Sequence, residues 1–194
     1  MPEGSNQEPW RRFIMYLAPT DAGYMHATLE RAIADAVARP HAIVDAPAIC
    51  AVLLQESGLR HTDRQGRIVK GDGGRAIGIG QIHRKPWEKY YSFSPEFYEW
   101  RAVRLDDLYD NVAVCALIIA RGGWQADDTE SQLHAYAYYN SGKDWEHCGE
   151  RARDYARSVA ALAEKIAGYK GQGTGDSNPE HPDGKDHRED GDGE

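Results

Sequence analysis

The sequence predicts a mainly α fold with a possible small β-hairpin, on three observations. Apolar residues recur at steps of three or four through residues 24 to 38 and 49 to 56, as one buried helix face requires. Three further runs, about 106 to 121, 128 to 140 and 150 to 167, are bounded by Gly or polar residues in the manner of helices. Only one short stretch, Asp63 to Val69, joins turn residues to a β-branched pair.

Taken in order, residues 1 to 23 read as an N-terminal extension, polar and acidic at first. Met25, Leu29, Ile33 and Val37 then make a packing helix that Pro40 ends. The next helix starts near Asp45, whose side chain can cap free amides, tolerates Pro47 in its first turn and stops at Gly58. Asp63 to Val69 suggests the hairpin. Gln81 to Trp87 opens a short helix or turn cut by Pro86, before the three later helices. There is no internal repeat.

Composition bounds the rest. A chain of 194 residues, 41% hydrophobic and 28% charged, suits one compact domain, here residues 24 to 170. Residues 171 to 194 carry eight acids against two bases and almost nothing apolar, so a disordered acidic C-terminal tail is expected. That tail holds −6 of the net −8, which leaves the remainder near neutral, with no basic stripe for nucleic acid or an anionic membrane. No stretch reaches the roughly 20 apolar residues of a membrane span. No export signal is read in the first residues either, because the apolar run after Arg12 is short and broken by Pro19. Cys50, Cys115 and Cys148 are an odd set that suits buried thiols, with a Cys115–Cys148 bridge left open. Their spacing makes no structural zinc site, and no metal or cofactor is expected.

Chemistry enters at Glu56, which shares a helix stripe with Ile49, Val52 and Leu53. A carboxyl on an inward face loses hydration, so its pKa rises toward the range of a proton donor. Alternatively, Gly58 lets the helix end fray and Glu56 bend out to solvent. The glycine-dense run from Gly71 to Gly80 allows tight turns or close approach of backbone to a ligand. It is not a nucleotide fingerprint, because no strand-rich run precedes it and no phosphate-binding Gly-Lys-Ser/Thr exists in the chain.

Glu56-Ser57, Gly78-Ile79-Gly80-Gln81-Ile82, Asn111 and Tyr139-Asn140-Ser141-Gly142, in that order, resemble the signature of the soluble lytic transglycosylases and goose-type lysozymes. The resemblance covers roughly residues 45 to 165. It departs at Ile79-Gly80, where the family has Leu-Met, and at Tyr138, where the family has Ala. The likeness implies a lysozyme-like helical domain acting on peptidoglycan glycan strands. Glu56 would protonate the oxygen between N-acetylmuramic acid and N-acetylglucosamine and then act as base. The substrate's acetamido group would meet the positive charge and the 6-hydroxyl would close an anhydro ring, a departure from the two-carboxylate scheme.

Hydrolysis is the alternative, as in a goose-type lysozyme or a chitinase-like enzyme. Gly71-Asp72 is similar to the goose-type Gly-Asp, and Asp72 would position water; equally, Asp72 is an Asx-turn or helix cap. His83 stands where goose-type lysozymes carry a further Asp. Gln81 and Tyr139 would orient substrate or Glu56, or else bond backbone and pack. Ser57, His83, Tyr91 and Asn140 complete the candidate substrate-binding set, with Trp87 beside Tyr91 in an aromatic-rich stretch and Asn140 also suited to tying loops. Asn111 suits a brace as well as a sugar contact. A third possibility is a wall-binding or structural protein without activity. With no export signal, a monomeric wall-degrading enzyme of phage type, an endolysin, would reach the wall by cell permeabilisation, on a virion or through a secretion machine.

Overall fold

A computed structural model describes residues 8–17, 23–38, 43–85 and 103–170. Trp87 and Tyr91, and the acidic tail, lie outside the described residues. Among those described are six helices and a small sheet: α1 (Pro9–Leu17), α2 (Gly23–Val37), α3 (Ala46–Ser57), α4 (Leu108–Arg121), α5 (Thr129–Ser141) and α6 (Glu150–Ala167). Between α3 and α4 lie β1 (Lys70–Gly71), β2 (Ala76–Ile77) and β3 (Ile82–His83), antiparallel in that order, with a 3-10 turn at Asp72–Gly74.

α3 is the central element. Asp45 accepts the Ala48 amide at 2.8 Å, and Pro47 lies in the first turn, where its missing N–H costs nothing. Ala48 to Leu53 are all at most 1% exposed, so this helix is covered on every side up to its last turn. Each buried Ile, Val or Leu there contributes about 1.5–3 kcal/mol. Gly58, at φ 62, closes the helix by donating to Leu54 O at 2.9 Å, and Leu59 follows in the same left-handed region. The sharp reversal leaves Glu56 on the last turn of the helix.

The other helices enclose α3. α2 packs on α3 and α4, α6 packs on α3 and α5, and Leu29, Ile33, Val112, Ile119, Tyr136 and Val159 fill the spaces between them. Asp107 and Asp128 cap α4 and α5 by accepting the amides of Asp110 and Glu130, each at 3.0 Å.

Three sequence readings need correction. Residues 1 to 23 are not wholly an extension: α1 buries Trp10, Phe13 and Ile14 in the common core, and Phe13 meets Tyr169 edge to face at 5.4 Å. The expected hairpin at 63–69 is a single bridge, Thr62 to Ile68, and the sheet proper begins at Lys70. Ile82 and His83, read as the start of a helix or turn, form β3. All three cysteines are free and buried, so the Cys115–Cys148 bridge does not form. Among the described residues no helix is long and apolar enough to cross a membrane.

Candidate active site

Glu56 sits on the last turn of α3, mostly covered. Its Oε1 accepts the Tyr155 hydroxyl of α6 at 2.5 Å, while Oε2 has no protein partner among the described residues. Burial raises the Glu56 carboxyl above the ordinary range, and the Tyr155 bond, which favours the charged form, only partly offsets it. Burial beside this carboxylate also holds the Tyr155 phenol well above its usual value, so it remains a donor. The fraying alternative is excluded, because Glu56 is anchored inward by a residue from another helix.

Behind Glu56 lies Cys115 of α4, in contact with the Tyr139 hydroxyl. Burial pushes this thiol up to about 12, with Tyr139 acting against that and Glu56 adding a small rise. The thiol is therefore an inert neighbour at neutral pH.

The second half of the site is the turn Gly78–Gln81, whose backbone is bonded at nearly every atom. Gly78 N donates to Val69 O at 2.9 Å, Ile79 N to His61 Nδ1 at 3.2 Å, and Gly80 N to Asn111 Oδ1 at 2.9 Å. Asn111 returns its amide to Ile77 O and Leu105 O, and Tyr139 donates its phenol to Gly80 O at 2.7 Å. The glycines are required by this crowding. A Cβ on Gly78 would lie 2.4 Å from Asn111 Nδ2, and one on Gly80 would lie 2.9 Å from the Tyr139 hydroxyl. The turn forces Gln81 to φ 46, which is uncommon for a residue with a side chain and costs about 1–3 kcal/mol.

Several predicted roles change. Tyr139 bonds Gly80 instead of Glu56. Gln81 curls back, its Nε2 donating to Gly78 O at 2.7 Å, so in this state it braces its own turn. Ser57 is buried; its hydroxyl bonds Leu53 O and accepts the Arg60 amide, closing the helix instead of facing a ligand. Asn140 is exposed at the end of α5, and its side chain ties no loops among the described residues. Asn111, fully buried, is a brace. Asp72, at φ 47, is exposed, with Oδ1 2.8 Å from Arg75 and Oδ2 3.3 Å from His83. The structure thus joins Asp72 to His83, and separately Glu56 to Tyr155. Tyr91 falls outside the described residues.

Two residues that hold the candidate site together escaped the sequence reading. Tyr155 shares the inward stripe of Ala152, Ala156 and Val159, and a hydroxyl-bearing ring on that stripe was the available signal. His61, 4% exposed, had no local signal at all. A cavity of about 1690 Å³ also opens against Leu54, Leu59, Val69 and Ile79. Glu56 does not line it, being two positions from Leu54 and so turned to nearly the opposite helix face. Arg60, Arg64, Arg67, Lys70 and Arg84 gather there with Asp63 and Asp106, a local positive excess that the near-neutral total conceals. Among the described residues, no group of three or more His, Cys, Asp or Glu could hold a metal.

What the pieces define is a mainly helical domain with one sheltered, phenol-anchored carboxylic acid near a rigid glycine turn. No family model, curated protein or solved structure matches the chain.

Proposed function

We propose that the chain is a peptidoglycan-cleaving lytic transglycosylase that breaks the bond between N-acetylmuramic acid and N-acetylglucosamine, with Glu56 as its acid and base. The observation that carries this is the Glu56 carboxyl itself: half-buried, raised in pKa by that burial and fixed through Oε1, with no partner for Oε2 among the described residues. The order of motifs along the chain supplies the substrate class.

Protonated Glu56 donates to the glycosidic oxygen as that bond breaks. The neighbouring acetamido group stabilises the sugar cation, and Glu56, now a carboxylate, takes the proton of the 6-hydroxyl as it attacks the same carbon. Tyr155 holds the carboxyl in register and favours the carboxylate that follows donation. Asp72 bears on the choice between transfer and hydrolysis. Its two oxygens are engaged by Arg75 and His83, which favours the single-carboxylate route.

The test is a zymogram on purified wall with wild type and Glu56→Gln, followed by mass analysis of the products. Anhydro-muropeptides from the wild type and a loss of about 10²–10⁴-fold in the variant are expected. Equal clearing by both proteins removes Glu56 from the chemistry, and a reducing muramic acid as the main product overturns the transferase assignment in favour of a lysozyme.

A further inference from the structure

His61 lies just after α3, away from the acid, and is bonded at both ring nitrogens. Ile79 N–H can only donate, so Nδ1 must accept it at 3.2 Å; Asp106 O can only accept, so Nε2 must carry the proton, at 3.0 Å. These two partners fix one neutral tautomer. They also connect the loop after α3, the strained turn ending in Gln81 and the turn entering α4. The ring has no room to swing toward the turn, since a Cβ on Gly78 would already lie 3.0 Å from His61 Cε1.

We propose that His61 is a positioning residue for Gln81, acting through the Ile79 amide and only as the neutral Nε2–H tautomer, so that acid releases the turn. As regards activity, this rests on the reading of Gln81 as a group that orients the glycan. A second proton would sit on Nδ1 and set two donors against each other where only 4% of the residue meets solvent. Among the described residues nothing else then holds the Ile79 amide. The strain at Gln81, where φ is 46, favours relaxation of the turn once that bond is lost.

The charged and titratable groups on the surrounding segments are Arg60, Asp63, Arg64, Arg67 and Lys70 on its own loop, and Arg104, Asp106, Asp107 and Asp110 around the start of α4. His26 and Arg84 share the cavity that His61 lines, and residues 78 to 81 bring no charge.

The experiment uses the full chain. Nitrogen NMR of the imidazole is expected to show Nε2 protonated and Nδ1 bare while the turn is closed, and amide exchange at Ile79 to accelerate beyond its intrinsic pH dependence once acid protonates Nδ1. An Nδ1–H tautomer, or Ile79 exchange that follows only the intrinsic dependence, overturns the proposal. Neither measurement needs a wall substrate, so both remain decisive if the chain cleaves no glycan. In wall cleavage, His61→Gln keeps the Asp106 bond, loses the Ile79 acceptor and lowers kcat about tenfold. His61→Asn offers an Oδ1 that cannot be protonated; it restores kcat to within about threefold and moves the acid limb of the pH profile lower. An acid limb unmoved in His61→Asn also overturns the proposal.

Discussion

Glu56 and Asp72 are both candidate catalytic carboxylates, and the surroundings of each give it a different chemistry. Glu56 lies on the last turn of a helix whose residues Ala48 to Leu53 are wholly buried, and it meets a single phenol. Asp72 opens an exposed turn and meets a guanidinium and an imidazole. Removing water from the first raises its pKa and prepares it to donate a proton, while the second is solvated and ion-paired. Burial, more than residue type, therefore separates an acid from a surface pair.

The sharpest way to break that contrast is Glu56→Gln, which should abolish wall cleavage yet leave the fold at least as stable. A folded-state pKa raised above the unfolded value means that stability is fully present below the ordinary Glu range and declines as pH rises through the raised value. The variant lacks that decline, so the gap between its denaturation midpoint and that of wild type should widen from pH 4 upward, in the variant's favour. A gap that narrows with pH would show that Glu56 is stabilised as a carboxylate.

Next in size is Gly78→Ala. The added carbon collides with Asn111 and requires a left-handed alanine, at a cost of roughly 2–4 kcal/mol. Urea unfolding measures it, and a midpoint unchanged from wild type would mean the turn is soft and Gln81 is not held. A smaller effect is expected from Tyr155→Phe. Losing the bond to the carboxylate leaves desolvation unopposed, so the Glu56 pKa rises further and the alkaline limb of the pH profile moves up, with kcat reduced about tenfold. An alkaline limb that moves down would assign the raised pKa to the phenol and not to burial.

These residues also divide by how far the sequence reveals them. The ends of α3 were legible because Asp45, Pro47 and Gly58 act on their own neighbours, and the stripe of Ile49, Val52 and Leu53 gave the direction of Glu56. Tyr155 was not, because its bond spans 99 positions and nothing near it in the chain points to α3. His61 was hidden for the same reason, since its partners come from two distant turns. The strands of two residues each are too short for an alternating pattern to register. Asn111, Gln81 and Tyr139 were picked out as a set, yet their shared role as braces and bracing target depends on the turn they fold together.

The smallest effect should come from Asp72→Asn, and it is also the one that discriminates between outcomes of the reaction. Asparagine tolerates the left-handed backbone at this position, and its Oδ1 can still accept from Arg75, so the turn is retained. An exposed ion pair contributes about 0.2–1 kcal/mol, and an unfolding midpoint displaced by no more than that is expected. If a single carboxylate performs the reaction, wall cleavage stays within about threefold of wild type and the products remain anhydro sugars. If Asp72 instead positions water, the same change removes a general base and costs about 10²-fold or more without destabilising the fold. A large loss of rate in a stable protein would therefore make Asp72 Glu56's catalytic partner, even though it lies exposed on the surface.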